Sequence, residues 1–356
     1  MSSGEIAKAL ALIGENKELR NSFIEWCRSV ESKLEYKGSI RDDITKFLID
    51  AIYTNISFEK KGLKNGLTFE FMPNVHSKVA REFIMSTPVI PDHVWEPQTS
   101  KLLVYLSTRA KNVVIGGAYF GDQTILVADH IKKNGGVVHA FELNEKQSEI
   151  LRRNATINHL DNVVVVNKGL WNNNDTFLNL SDTDDLAFAS IAEADKGREA
   201  NTTTIDTYVK QKGLPGVDLI MLDIEGSEFN ALQGAENHLK KDAGIAPNII
   251  FEVHRSYVDW SNGLHNTEIV KYLESFGYKL YSLRDLQANY DLRGLPIELV
   301  LPEHTYLEGP PHGFNMLAIK DVSLIKNDTF RICKNVSPKY LTHKDPALHH
   351  PESGLP

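Results

Sequence analysis

The chain is poor in cysteine. Cys27 and Cys333 are its only two among 356 residues, and they lie far apart. That excludes a disulfide framework and any Cys-x-x-Cys zinc site, and leaves both as small buried or surface thiols. No run approaches the roughly 18 to 20 apolar residues that a membrane span requires. The opening Met-Ser-Ser-Gly-Glu lacks a basic region followed by an apolar run, so no secretory signal is expected. The Asn-x-Ser/Thr triplets at Asn179 and Asn201 then count as composition noise. Basic residues are also in deficit: 39 Lys plus Arg face 47 Asp plus Glu, a formal net charge of -8. A protein that binds nucleic acid by neutralising phosphates shows the opposite balance, so nucleic acid is not an expected partner. What remains is ordinary: 42% hydrophobic and 24% charged residues specify a folded, water-soluble core. The length suits one large α/β domain with an appendage, or two smaller domains. The expected location is cytoplasmic, with no membrane partner. No internal repeat is visible.

The first ninety residues read as helical, without strand alternation. Apolar residues from Glu5 to Tyr36 recur every three to four positions. A second helix is expected from Ser39 to Tyr53, with Ile40, Ile44, Phe47, Leu48 and Ala51 on one face. Gly62 to Pro73 reads as a connector, and Ser77 to Met85 as a third helix ending ahead of Pro88 and Pro91. Residues 1–90 thus form a helical cap, serving either as a packing appendage without chemistry or as a homodimerisation element.

Beyond Glu96 short apolar runs alternate with helices. Val113-Val114-Ile115, Val137 to Phe141, Val163 to Val166, Leu219 to Leu222 and Ile249-Ile250-Phe251 are strands. A helix through Ile125 to Ile131 and another from Glu145 to Ile157 separate the first three. All-apolar strands of this kind belong to a parallel sheet covered on both faces, a doubly wound α/β domain over residues 91–325. Trp171 to Thr204, rich in Asn, Asp, Ser and Thr, reads as an irregular hairpin or excursion on the domain edge. Residues 326–356 read as a C-terminal tail carrying His343, His349 and His350, an ordered wrap or loose end rather than a metal chelator.

Ligands of doubly wound sheets sit beyond the carboxyl ends of the strands. The first strand runs into Gly116-Gly117-Ala118-Tyr119-Phe120-Gly121-Asp122, where glycine permits a tight bend and close approach of a cofactor to a helix N-terminus. The second ends at Glu142, placed to accept hydrogen bonds from ribose hydroxyls. The pair fits a nucleoside cofactor, either a dinucleotide or S-adenosylmethionine. G-x-G-x-x-G is not met, because Ala118 holds the middle position that admits a pyrophosphate.

Asp218 to Glu236, Asp-Leu-Ile-Met-Leu-Asp-Ile-Glu-Gly-Ser-Glu-Phe-Asn-Ala-Leu-Gln-Gly-Ala-Glu, closely resembles the D-x-x-x-x-D-x-E-G-x-E-x-x-x-L-x-G-A-E signature of the FkbM-type methyltransferases. Phe141-Glu142-Leu143-Asn144 is similar to their F-E-P-N segment, and Thr203-Thr204-Ile205-Asp206 to the short strand ahead of the signature. Phe251-Glu252-Val253-His254 is similar to their E-x-H strand end, and Phe276-Gly277-Tyr278 to their G-Y turn. The resemblance covers roughly residues 96 to 320. It implies a Rossmann-like, class I, S-adenosylmethionine-dependent methyltransferase fold. It also implies an acceptor hydroxyl on a sugar or natural-product metabolite, a minority of the family acting on other acceptors such as amides. The residues expected around the cofactor are Glu96, Gly117, Tyr119, Gly121, Asp122, Glu142, Leu143 and Asp223. Two positions depart from the family, which usually has an acidic residue at Ile115 and a small or polar one at Tyr119. Asp122, Glu96 or backbone carbonyls would then replace the missing acid.

Methyl transfer needs acceptor oxygen, carbon and sulfur in line, and a proton removed from the acceptor. His254 is the expected base: it lies two residues past Glu252 on the same strand face, and an ordinary imidazole pKa near 6.5 suits the task. Asp223 and Glu225 either orient the reactants or, with Glu252, bind Mg²⁺. Glu228 is expected in a first helical turn, favouring its dipole. Glu252, Arg255, Tyr257 and Trp260 are the expected contacts to a small-molecule or glycan acceptor, with His265 and the Gly309-Pro310-Pro311-His312-Gly313 loop as further candidates. The competing readings are an NAD-type oxidoreductase on a similar fold and a degenerate methyltransferase fold used as a partner-binding scaffold.

Overall fold

The structure, a computed structural model, describes residues 3–86, 91–174, 176–180, 189–191, 199–292, 294–307 and 313–340. Asn16 divides the first periodic stretch into α1 (Ser3–Glu15) and α2 (Lys17–Lys33). Its side chain accepts the N–H groups of Glu18 and Leu19 at 3.0 and 3.1 Å, the capping role for which asparagine is favoured. The expected second helix opens as a π-turn over Arg41–Thr45 before α3 (Lys46–Tyr53). That wide turn places Arg41 between Glu31 and Glu82.

The stretch expected as a connector is a hairpin, β1 (Glu59–Gly62) against β2 (Thr68–Phe71). Its period-two signal is short but real: Phe69 and Phe71 are fully buried, between Phe83 and Phe120. Ser77 caps α4 (Lys78–Met85). The hairpin is fastened to the main domain, since the side chains of Asn158 and Asn154 accept the N–H groups of Thr68 and Glu70 at 2.8 and 2.7 Å.

The main domain follows α5 (Pro97–Ser107), whose first turn is capped from a distance. The Asp285 carboxylate accepts the N–H groups of Gln98 and Thr99 at 2.9 and 2.7 Å. Then come β3 (Asn112–Gly116), α6 (Thr124–Lys132), β4 (Val137–Phe141), α7 (Glu145–Ile157) and β5 (Val163–Val166). A small sheet of β6 (Gly169–Leu170), β7 (Phe177–Leu180), β8 (Ala189–Ile191) and β9 (Glu199–Thr203) occupies the polar excursion. Residues 175, 181–188 and 192–198 of that excursion lie outside the described residues. Ile205 and Asp206, expected on a strand, instead open α8 (Ile205–Lys212), because Thr204 caps the N–H of Thr207.

The remaining elements are β10 (Leu219–Leu222), α9 (Glu228–Gln233), α10 (Glu236–Leu239), β11 (Asn248–Val253), α11 (Glu268–Ser275), β12 (Lys279–Arg284), β13 (Ile297–Val300), β14 (Phe314–Ile319) and β15 (Phe330–Cys333). The nine-stranded sheet has the order β15-β13-β12-β14-β11-β10-β3-β4-β5. From β11 to β5 every neighbour is parallel, as the apolar runs predict. β14 runs antiparallel between β11 and β12, so the sheet is mixed, and β15 places a paired strand inside the segment read as a tail. His343, His349 and His350 lie outside the described residues. Both sheet faces are covered by buried apolar clusters. Leu222 stands opposite both Gly116 and Phe251, and Gly116 opposite Phe141. β10, β3 and β4 therefore end level, with β11 running on to Val253, and the order of winding across the sheet turns back between β3 and β10. This is the switch point at which a doubly wound sheet opens a crevice.

Candidate active site

Gly117 begins the bend after β3. The N–H groups of Gly117 and Ala118 both donate to the Phe141 carbonyl at 3.0 Å, tying the bend to the end of β4. Gly117 has φ +76, and a Cβ there would stand 1.7 Å from the Asp223 carbonyl oxygen. Only glycine lets the bends after β3 and β10 approach this closely. Glu142 holds the next turns: its carboxylate accepts the N–H of Tyr119 at 2.8 Å and that of Asn144 at 2.7 Å. Burial pushes the Glu142 carboxyl up, and these amides oppose the shift.

The loop after β10 repeats the device. Glu225 and Gly226 both have positive φ, and Gly226 supports the ring of Tyr257, which a Cβ would meet at 2.6 Å. The Tyr257 hydroxyl donates to Glu225 at 3.0 Å. Glu228, in the first turn of α9 as expected, accepts the N–H groups of Ile224 at 2.9 Å and Gly226 at 3.0 Å.

These bends open onto a cavity of about 570 Å³, within the range that holds small ligands. Glu96, Gly117, Tyr119, Asp122, Glu142 and Leu143 line it, as do Asp223, Glu225, Glu252, His254 and Tyr257. Gly121 does not: it packs against Leu151 and Ile125 beneath the bend. Arg255 is exposed and lies outside the cavity lining, as does Trp260, which packs on Phe314 with ring centroids 5.7 Å apart. His265 is likewise outside the cavity, and of the Gly309–Gly313 loop only Gly313 is described. Tyr119 does not fill the space. Its hydroxyl donates to Ser77 at 3.0 Å and its ring packs against Phe120, making it a wall.

Electrostatically the sheet side is acidic. Glu96 is buried in a left-handed conformation and accepts the Asn315 side-chain amide at 2.8 Å. Burial raises its carboxyl well above the usual range, and Asp285 and Asp223 add to this. Burial raises Asp223 in the same way, reinforced by Glu225 and Glu228, and raises Glu252, reinforced by Asp223 and Glu225. Burial lifts Asp122 to about 7 against the pull of backbone N–H groups. Glu96 and Asp122 thus stand in the same cavity as Ile115, the position where the expected acid is missing.

The Mg²⁺ site expected from Asp223, Glu225 and Glu252 does not form. Among the described residues no three His, Cys, Asp or Glu side chains are arranged to hold a metal ion. Glu225 is engaged by the Tyr257 hydroxyl, and Glu252 lies under Gly313, in the space a Cβ there would take. His254 does line the cavity. Its Nδ1 accepts the Ser256 N–H at 3.0 Å, which places the proton of the neutral ring on Nε2.

Sequence reasoning missed one wall. His76, Ser77, Lys78 and Arg81 come from the N-terminal cap, and Trp95 and Gln287 from loops. Ser77 carries a capping signal, but nothing in the local pattern ties that turn to the strand ends some forty or more residues away. Thr124 and Gln147 were missed as well. Their Oγ1 and Oε1 atoms are buried without hydrogen-bond partners, and both residues line the cavity.

The strand order 5-4-3-10-11-14-12, with β14 reversed and a glycine bend and an acidic strand end at the switch point, is the class I methyltransferase arrangement. Consistent with this, the family model for the methyltransferase FkbM domain matches residues 116–280. Among solved structures, the chain is similar to methyltransferase FkbM from Methylobacillus flagellatus, at 12% identity and a TM-score of 0.35, over 84% of this chain and 59% of that one. It is also similar to an O-methyltransferase from Bacillus cereus in complex with SAH (16% identity, TM-score 0.33, 65% and 84% of the chains). A third similar structure is precorrin-6y C5,15-methyltransferase from Geobacter metallireducens (13% identity, TM-score 0.34, 63% and 89%). No curated protein matches the chain.

Proposed function

We propose that the protein is an S-adenosylmethionine-dependent O-methyltransferase acting on a hydroxyl of a sugar or natural-product metabolite. The observation that carries this reading is the cavity at the level strand ends, where the Gly117 bend, Glu142 and His254 meet. The residues fit the cofactor. A cradle that only glycine permits, two orphaned buried polar atoms on Thr124 and Gln147, buried carboxylates at Glu96 and Asp122, and the half-buried Asp223 carboxylate in the same cavity suit a nucleoside bearing positive charge. Glu142, Leu143 and Gln147 would hold the nucleoside end, and Glu96 and Asp122 the ammonium end. The FkbM domain match favours this reading over the hydride-transfer alternative.

When bound, the cofactor supplies a methyl carbon activated by its sulfonium. The chain's own task is to bring an acceptor oxygen into line with that carbon and to take its proton. His254 takes it through Nδ1, its basic nitrogen. The present partner of Nδ1 is the main-chain N–H of Ser256, an exposed residue, and an acceptor hydroxyl replaces that contact. Tyr257, fixed by Glu225 and Gly226, forms the acceptor side of the cavity beside Glu252.

The experiment is native mass spectrometry and calorimetry of the purified chain. Retained or added S-adenosylmethionine or S-adenosylhomocysteine should bind one to one and raise the Tm, while NAD(H) should not. A shift with NAD(H) alone overturns the reading, and binding of neither supports the scaffold alternative.

A further inference from the structure

A second cavity, of about 350 Å³, lies beside the first between the cap and the sheet edge, and the two share Lys78 and Gln287 as lining residues. Its walls come from the turn after α2, from α4, from residues 286–290 and from Lys339 and Tyr340. Most of its charges are already committed. Arg41 pairs with both Glu31 and Glu82, Asp42 accepts the Ser39 hydroxyl, and Lys33 and Glu35 are exposed.

Lys339 is different. It is only 7% exposed, lines the cavity, and its Nζ is buried without a hydrogen-bond partner. Its placement is built rather than incidental. Lys339 bridges Asp285 in parallel register, with the Asp285 N–H donating to Pro338 at 2.9 Å and the Tyr340 N–H donating to Asp285 at 2.8 Å. Next to it, Tyr340 is held by its hydroxyl on Glu298 and by the Arg284 guanidinium over its ring, 4.2 Å from the centroid. A buried ammonium with no partner is costly, and a well-anchored segment keeps it there. Burial chiefly, and the nearby Lys78, push its pKa down to about 7, against Glu252 and Glu96, which act to raise it.

We propose that this second cavity binds an anionic oxygen group of the acceptor, a carboxylate or phosphate, between Lys339 and Lys78. The sharing of Lys78 and Gln287 makes the acceptor a molecule long enough to lie in both cavities, with its anionic end under the cap and its hydroxyl at the strand ends. This inference rests on the methyltransferase reading of the adjoining cleft for the identity of the bound molecule, whereas the anion site itself stands on Lys339.

The test uses the full chain, with inorganic phosphate and acetate as probes and chloride at equal ionic strength as the control. Calorimetry or a thermal shift should show saturable binding of phosphate, acetate or both at millimolar levels. The preferred probe indicates the anion class. Lys339→Met should weaken that binding at least tenfold and raise the Tm, because it removes an unpaired buried charge. S-adenosylhomocysteine affinity should stay within twofold. Lys78→Met, at a half-buried position, should weaken anion binding without unfolding the chain and decides the matter if Lys339→Met does not fold. The proposal is overturned if neither anion binds beyond the chloride control. Wild-type anion affinity in either lysine variant, or a lowered Tm in Lys339→Met with anion binding intact, also overturns it. Loss of S-adenosylhomocysteine binding with anion binding retained would instead count against the methyltransferase reading alone.

Discussion

The two walls of the cleft differ in charge, in origin and in how they are held. The sheet wall is acidic, arises from loops at level strand ends, and is fixed by backbone geometry: positive-φ bends and amide groups donated to Glu142 and Glu228. The cap wall carries His76, Lys78 and Arg81, arises from the first ninety residues, and is fixed by side chains reaching across, such as Tyr119 to Ser77 and Asn154 to the β1–β2 hairpin. The difference teaches that the sheet wall is specified by main-chain geometry, while the cap wall is specified by side chains from a region remote in sequence that packs into the same core. Variants of the bends on the first wall should therefore cost both fold and nucleoside binding, and variants on the second should cost little of either.

The most severe test of that contrast is Gly117→Val. With Cβ 1.7 Å from the Asp223 carbonyl and φ at +76, no rotamer relieves the clash, and the bends after β3 and β10 cannot both form. Loss of cooperative folding, or of all S-adenosylhomocysteine binding, is expected by denaturant titration and calorimetry. Gly135→Ala, also at positive φ but with open space around it, should cost only about 1–2 kcal/mol. A Gly117→Val protein that folds and binds like wild type would remove the main-chain account of the acidic wall.

The acidity of that wall predicts a pH dependence. Asp122 is raised from 3.8 to about 7 and Glu228 from 4.5 to about 7, both chiefly by burial. A carboxyl raised in the folded state contributes stability that is fully present below about pH 4 and is lost as pH rises through 7. His139, lowered to about 4 by burial, works in the opposite direction. Comparison with Asp122→Asn cancels that histidine. The variant should gain stability relative to wild type as pH rises from 4 to 7.5, on the order of 3–4 kcal/mol. Denaturant midpoints across that range measure it, and parallel pH profiles for the two proteins would show that Asp122 is not held neutral by its surroundings.

Glu142→Ala comes next. It should lower S-adenosylhomocysteine affinity by about 100-fold, equivalent to about 2.7 kcal/mol, and also destabilise the chain by about 1–3 kcal/mol because two N–H groups lose their acceptor. Unchanged nucleoside affinity in that variant would mean that the carboxylate only staples the bend. His254→Ala separates chemistry from binding: turnover should fall about 10²-fold while S-adenosylhomocysteine affinity stays within twofold. Wild-type turnover would take His254 out of the proton transfer and leave the task to the carboxylates beside it.

The acidic wall was legible in sequence because its determinants are local. Val137–Phe141 and Leu219–Leu222 are strands with the expected ends, so Glu142 and Asp223 fall where an apolar run stops. The FkbM-like signature covers the same loop. The cap wall was not legible, because its use depends on where α4 packs, and a helix face facing a cleft has the same periodicity as one facing a core. The β1–β2 hairpin was hidden by brevity, with two phenylalanines in a four-residue strand beside glycines. The antiparallel strands β12, β13 and β14 carry polar residues at Ser282, Glu298 and Asn315 that obscure the apolar run, although each is buried and hydrogen-bonded. The metal expectation failed for a related reason. Sequence places Asp223, Glu225 and Glu252 at neighbouring strand ends, but side-chain partners outside the motif, Tyr257 above all, decide where Glu225 points.

The smallest effect is the most informative about how the walls are joined. Tyr119→Phe removes the 3.0 Å hydroxyl contact to Ser77 and leaves the ring against Phe120. Ser77 also caps α4, so its oxygen keeps the Ala80 N–H at 3.1 Å as a partner. The stability cost should then be about 1 kcal/mol, the net worth of one neutral hydrogen bond. If the cap is a separately packed wall, that small loss should loosen it locally, seen as faster amide exchange in α4 with exchange in β3 and β10 unchanged. Equal acceleration on both sides would show instead that cap and sheet open as one unit, and the contrast between the walls would then be one of charge alone.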